Sequence, residues 1–305
     1  MIDPTLEVLE LDMWHPEGPD FLPDGRLILA EGYRQRIVTW TPEDGIQEFA
    51  KVGGKPYATA VGSDGCVYVT QSSHNSGRWV GPVEAPPSIQ RVSPDGSTVE
   101  LICTEVEGIQ LSRPNDLVFG PDGRLYFTDP GVWGKDGPQT HGGYIHVINA
   151  DGSAELLVDA GPVFPNGIAF EDDGSLLWCE STEQKVTRRR PDGTIENVIT
   201  FGENHHPEGL AIDVDGNVWV SVFEAGGIHV MSPEGKLLEW YETGGVPVNQ
   251  MFGDGVMYIA DFGPLKHPNG EYAANAEGVY DRGRLLRMKV PVAGRPLHRG
   301  AIARG

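Results

Sequence analysis

Basic residues are scarce in this chain: 23 Lys and Arg stand against 44 Asp and Glu, a formal charge of −21. Such a surface repels a phosphate backbone, so nucleic acid is not an expected partner; it fits a solvated exterior and is compatible with a bound cation. Cysteine is scarcer still. Cys66, Cys103 and Cys179 are odd in number and follow no metal-binding spacing, so buried free thiols in a reducing compartment are expected. No window approaches the ~18 apolar residues of a membrane span. The N-terminal MIDPTLEVLELDMWHPEG lacks both the basic region and the apolar run of a secretory signal. The expectation is a cytoplasmic protein with no membrane partner, monomeric by default. Amphipathic helices are missing, and so are G-x-S-x-G, P-loop and H-E-x-x-H motifs, which removes the corresponding nucleophile, phosphate and zinc chemistries.

Gly (41) and Pro (24) are plentiful, and they fall in turns. Asp-Gly pairs occur at Asp24-Gly25, Asp64-Gly65, Asp122-Gly123, Asp173-Gly174, Asp215-Gly216 and Asp254-Gly255. Glycine at the second position supplies the positive φ such turns require. A short β-type run follows each: RLILAEG, CVYVTQS, RLYFTDP, SLLWCES, NVWVSVF and VMYIADF. Another run precedes most of them, and a second, outer turn (PEDG, SPDG, NADG, RPDG, SPEG) closes most units. Two hairpins per unit make four strands. Six units of about 50 residues predict an all-β, six-bladed β-propeller with four-stranded blades around a central axis, one domain over residues 1–305. Two β-sandwiches would give no reason for six similar units. The steps of 58 and 51 residues between turns place extra loops at 72–88 and 131–143, on one face.

Counting back seven residues from each turn Asp gives Glu17, Tyr57, Asn115, Asn166 and Glu208, with Asn249 the physical equivalent in a shorter last loop. These residues open the innermost strands, so they converge on one mouth of the axis. Four polar groups there are costly unless paired, and a cation would satisfy them. Oxygen donors including two carboxylates suit Ca²⁺ first, then Mg²⁺ or Mn²⁺; His15 and His206 nearby keep Zn²⁺ open. Counting forward seven gives Glu31, Gln71, Asp129, Glu180, Val222 and Asp261, one strand further out, where bonds to loop backbone are expected.

The segments WHPEGPDF, SRPNDLVFGPDGRLYFTDPG, FPNGIAFEDDGSLLWCEST and HPEGLAIDVDGNVWVS resemble the SMP-30/gluconolactonase/luciferin-regenerating-enzyme family over residues 14 to 290 or so. The resemblance implies a six-bladed propeller with one divalent cation on the axis and, in most characterised members, lactonase activity. By it, Glu17 and Asn166 match metal ligands. Asn115 matches an asparagine contacting metal or substrate, and Arg113 an arginine near the substrate. The remaining ligand is usually an aspartate in a P-D-G context; here it is Glu208, in HPEGLAID.

The expected function is therefore divalent-metal-dependent hydrolysis of a small lactone, a sugar lactone or related cyclic ester. The cation polarises the carbonyl and Glu208 takes the proton of the attacking water. Tyr57, Arg113, Asn115, Trp133, His206 and Asn249 are expected to bind substrate, with His141 also a pocket candidate. The alternatives are a diverged metal-dependent isomerase, lyase or cyclase on the same scaffold, and a non-catalytic binding propeller with a structural Ca²⁺.

Overall fold

Each expected Asp-Gly turn joins the two inner strands of one sheet, and all six turn glycines have positive φ, from 68° at Gly255 to 88° at Gly25. The computed structural model describes residues 5–76, 79–131, 142–264 and 281–303. Six four-stranded antiparallel sheets stand around an axis. Blades 1 to 6 are numbered by their innermost strands: Pro16–Phe21, Pro56–Val61, Leu117–Phe119, Pro165–Phe170, Pro207–Ile212 and Pro247–Phe252. Each innermost strand touches its two neighbours, and blade 6 touches blade 1, so the ring closes. Blade 6 is completed from the other end of the chain: Glu7–Met13 pairs antiparallel with Gly283–Lys289.

The second strands are the most deeply buried. Leu27–Glu31, Val67–Gln71, Leu125–Asp129, Leu176–Glu180 and Val218–Val222 are buried at every position, because both faces meet neighbouring blades. Aromatic residues fill the wedges between blades: Tyr68 meets Phe119 edge-on at 5.2 Å, and Trp219 meets Phe252 edge-on at 5.3 Å. The three cysteines are buried and form no disulfide among the described residues. Among the described residues helix is confined to two 3₁₀ turns, Gly32–Arg34 and Ser181–Glu183, and no helix is long and apolar enough to cross a membrane.

Carbonyls of the innermost strands and their entry residues also accept from side chains of an adjacent blade. Thr59 Oγ1 donates to the Gly18 carbonyl, Thr70 Oγ1 to that of Asn115, Ser181 Oγ to that of Pro207 and Gln250 Nε2 to that of Gly209. Buried backbone groups are thereby paired between blades as well as within them. At the far end of the axis the C-terminal segment forms a strap. Arg295 N–H donates to the Ile212 carbonyl in blade 5, Arg299 pairs with Asp20 in blade 1, and the Gly300 carbonyl accepts from Ser63 in blade 2.

Candidate functional site

A proline precedes the mouth residue in every blade: Pro16, Pro56, Pro114, Pro165, Pro207 and Pro247. Proline is tolerated there because the first residue of an axis-facing strand has no ladder bond to donate. Directly after it the register slips, between Glu17 and Asp20, Pro56 and Thr59, Pro165 and Ile168, Pro207 and Leu210, and Pro247 and Asn249. A bulge inserts an extra residue and re-aims the side chains beside it. The mouth is therefore built from three successive levels: the residue before each proline, the one after it, and the next.

The level after proline holds Glu17, Tyr57, Asn115, Asn166 and Glu208, all buried apart from the half-buried Tyr57, with Val248 completing the ring. Asn166 Nδ2 donates to Glu208 Oε2 at 2.6 Å and to Ser181 Oγ at 3.3 Å. Glu208 Oε1 makes no hydrogen bond among the described residues. Burial raises the Glu208 carboxyl to about 8, opposed by the Asn166 bond and reinforced by Asp116. Burial also raises Glu17 well above the ordinary range, and Glu208 and Asp116 add like-charge repulsion.

The third level is the narrowest. A Cβ on Gly18 would lie 2.2 Å from the Ala58 Cα, one on Gly167 2.2 Å from the Glu208 carbonyl oxygen, and one on Gly209 2.6 Å from Asn249 Oδ1. Only glycine lets the strands approach that closely. The polar side chains at this level are Asp116 and Asn249, on opposite blades 3 and 6. Asp116 accepts from the Leu117 and Ile168 backbones; burial lifts its carboxyl to about 7, against those bonds and an interaction from the Asn249 side chain. Below this level a cavity of about 310 Å³ continues along the axis to the strap.

The level before proline holds His15, Lys55, Arg113, Phe164, His206 and Val246. The Lys55 amine sits 3.0 Å from Tyr57 Oη and 4.4 Å from the centre of the Tyr33 ring. Burial and then Arg113 lower it to about 7, against the pull of Glu17. Burial and Lys55 likewise hold His15 well below its ordinary value. His206 is fixed, with Nδ1 at 2.9 Å from the Ser181 carbonyl and Nε2 at 3.5 Å from Glu224.

Of the residues expected from sequence, Glu17, Tyr57, Asn115, Asn166 and Glu208 share the mouth, with Asn249 one level deeper and Arg113 and His206 one level further out. Trp133 and His141 lie outside the described residues. The column one strand out bonds loops and basic side chains: Glu31 accepts from the Trp14 backbone, Arg34 and Arg36, and Asp129 accepts from the Ser112 and Arg113 backbones. Sequence reasoning missed Asp116 and Lys55. The proline column carries the signal for both, since Lys55 shares its place with Arg113 and His206, and Asp116 its place with Asn249.

This arrangement brings three carboxylates, Glu17, Asp116 and Glu208, to the mouth with the amides of Asn115, Asn166 and Asn249; among the described residues no three His, Cys, Asp or Glu stand close enough to hold a metal by themselves, so amide oxygens would have to complete any cation site. A mixed carboxylate and amide set of this kind suits a hard cation. Residues 13–260 match the model of the SMP-30/gluconolactonase/LRE-like region. A gluconolactonase of Zymomonas mobilis is 24% identical over 271 residues, covering 78% of this chain and 72% of that one. A luciferin-regenerating enzyme superposes with a TM-score of 0.77 at 19% identity, covering 98% of this chain and 100% of that one. The calcium-binding protein regucalcin of Agrobacterium tumefaciens superposes at 0.74 with 19% identity, covering 97% and 96%.

Proposed function

Since this chain belongs to the SMP-30/gluconolactonase/LRE-like family, whose relatives here include lactonases, we propose that it hydrolyses a small lactone with a divalent cation at the mouth of the propeller. The observation that carries the reading is the placing of Glu17, Asp116 and Glu208 at one buried mouth, where Asp116 raises the proton affinity of Glu208 and both raise that of Glu17. Buried like charges are stable as anions only beside a counter-charge.

Glu17, Asn166 and Glu208 would hold the ion, with Asn115 beside them. Ca²⁺ is the first choice for an oxygen-donor set, and regucalcin is a calcium-binding neighbour in fold. When bound, the ion supplies polarisation of the ester carbonyl and stabilisation of the charge that develops on its oxygen. The remaining steps fall to side chains. Asn166 orients Glu208 by engaging Oε2, which leaves Oε1 for a water molecule. Glu208 takes a proton from that water as its oxygen bonds to the carbonyl carbon. The bond from carbonyl carbon to ring oxygen then breaks, the ring oxygen receives the proton, and a hydroxy acid results. Tyr57 and Arg113 contact the ring substituents.

The test is a panel of five- and six-membered lactones, followed by acid release, before and after chelation and with Ca²⁺, Mn²⁺, Mg²⁺ or Zn²⁺ restored singly. Turnover lost on chelation and recovered with one ion is expected. Absence of turnover with every lactone overturns the reading.

A further inference from the structure

Lys55 is nine-tenths or more buried, an unusual place for a lysine. Its position is tightly specified. The backbone N–H donates to the Gln71 side chain, and the carbonyl accepts from Ser72 at 3.1 Å. The amine lies over two rings, 4.4 Å from Tyr33 and 4.8 Å from Tyr57, and contacts the Tyr57 hydroxyl. Tyr33 is itself wedged between His15 at 4.9 Å and Trp79 at 5.0 Å. Trp79 belongs to the long insert of blade 2, which is pinned to blade 1: Val83 N–H donates to Gln35 Oε1, and Gln35 Nε2 donates back to the Val83 carbonyl at 2.7 Å. The insert thus walls the corner of the mouth that holds the amine. Arg113 stands on the neighbouring blade within electrostatic reach of Lys55, its backbone N–H donated to Asp129. No ion pair of its guanidinium occurs among the described residues.

Two cations brought together raise each other's energy, and a neutral sugar lactone needs neither. We propose that Lys55 and Arg113 recognise an anionic oxygen group on the substrate, so that the preferred lactone carries a carboxylate or a phosphate. The proposal rests on the lactone-hydrolase reading above. It makes Lys55 a specificity residue: the ammonium is a compact point charge with three donors, suited to either group.

The experiment compares matched lactones. Glucaro-1,4-lactone differs from glucono-1,4-lactone by a carboxylate in place of a hydroxymethyl group, and 6-phosphoglucono-1,5-lactone differs from glucono-1,5-lactone by a phosphate. Turnover and calorimetric binding of all four are measured for the wild type, Lys55→Met and Lys55→Arg. The expected result is a wild-type kcat/KM at least tenfold higher for one charged lactone than for its neutral parent, expressed in KM. Lys55→Met brings that ratio to within about twofold, and Lys55→Arg restores most of it. The charged lactone that shows the effect identifies the group. If neutral lactones turn over and the wild type shows no preference, the proposal is overturned and the hydrolase reading stands. A preference that survives in Lys55→Met, or a Lys55→Met defect equal for charged and neutral lactones, also overturns it; the second pattern assigns Lys55 to balancing Glu17. Binding selectivity that depends on Lys55 without any turnover supports anion recognition and overturns the hydrolase reading.

Discussion

Asn166 bonds Glu208 across the seam between blades 4 and 5, Nδ2 to Oε2 at 2.6 Å. The bond leaves one carboxylate oxygen to work and fixes its direction. Glu208→Gln removes the base and one ligand charge together, so kcat/KM is expected to fall at least about 100-fold. Asn166→Leu leaves the carboxylate in place without its orienting donor. A loss of about tenfold or more, with weaker divalent-ion binding by calorimetry, is expected there. Wild-type activity in metal-stripped Glu208→Gln would contradict the assignment.

Asp116 lies at the tightest level of the axis, and burial raises its carboxyl to about 7. Above that pH its charge strains the metal-free protein. Asp116→Asn removes the charge at nearly constant volume. Its metal-free form is expected to melt about 1–2 °C higher than the wild type at pH 8, where a shift of about 1 kcal/mol moves Tm by roughly 1.5 °C in a chain of 305 residues. Activity is expected to fall at least about tenfold, since a charge facing the ion is gone. Scanning calorimetry and lactone assays on the same preparations check both halves.

Asp20 is buried and takes Arg299 of the strap through both oxygens, one of the pair at 2.7 Å. Arg299→Ala leaves that carboxylate only the Phe21 and Val61 backbone donors, and because Arg299 is itself partly exposed the cost is expected at about 1–3 kcal/mol, below the roughly 3–5 kcal/mol of a fully buried pair. Urea unfolding should show a loss of that order. The double variant Asp20→Asn, Arg299→Ala is expected to recover about half of it, because the remaining group is neutral.

His146 is fully buried beside Phe127 and Tyr144, and neither ring nitrogen has a hydrogen-bond partner among the described residues. Burial lowers it to about 4 from an ordinary 6.5. The folded state therefore keeps the neutral ring while the unfolded chain takes a proton. Its contribution to stability is complete above pH 6.5, declines as pH falls toward 4, and levels off below. His146→Phe is expected to flatten this limb. The wild-type stability measured against the variant should drop by up to about 3 kcal/mol between pH 7 and 4.

The blades were legible in the sequence because Asp-Gly turns are local and repeat at a near-constant interval. Glu17, Asn115, Asn166 and Glu208 were legible for the same reason, lying seven residues before those turns. Asp116 and Lys55 were not. Their places depend on pairing with the second strand and on packing by other blades, not on neighbours in the chain. Asn115 and Asp116 read as a turn-like pair, yet both stand opposite Thr128 in the ladder, the Asn115 N–H donating to its carbonyl and its N–H donating to the Asp116 carbonyl. Lys55 read as a loop lysine before a proline, and its burial comes from Tyr33 and Trp79, contributed by blade 1 and by the insert of blade 2. Asn249 shows the same limit: it was grouped with Glu17, whereas counted from its proline it shares a level with Asp116.

The N-terminal strand that completes blade 6 also sets a timetable for biosynthesis. Glu7 pairs with Arg287, 280 residues later. At ribosomal rates of about 5–20 residues per second, that first strand waits roughly 14–56 s for its partner. Blades 1 to 5 can form in order as they emerge, but the ring cannot shut until Gly283–Lys289 has been made. An exposed strand edge must therefore be kept from pairing with another nascent chain throughout. The acidic residues of Glu7–Met13, Glu7, Glu10 and Asp12, put carboxylates along that waiting edge, which is how a lone strand discourages a second copy of itself.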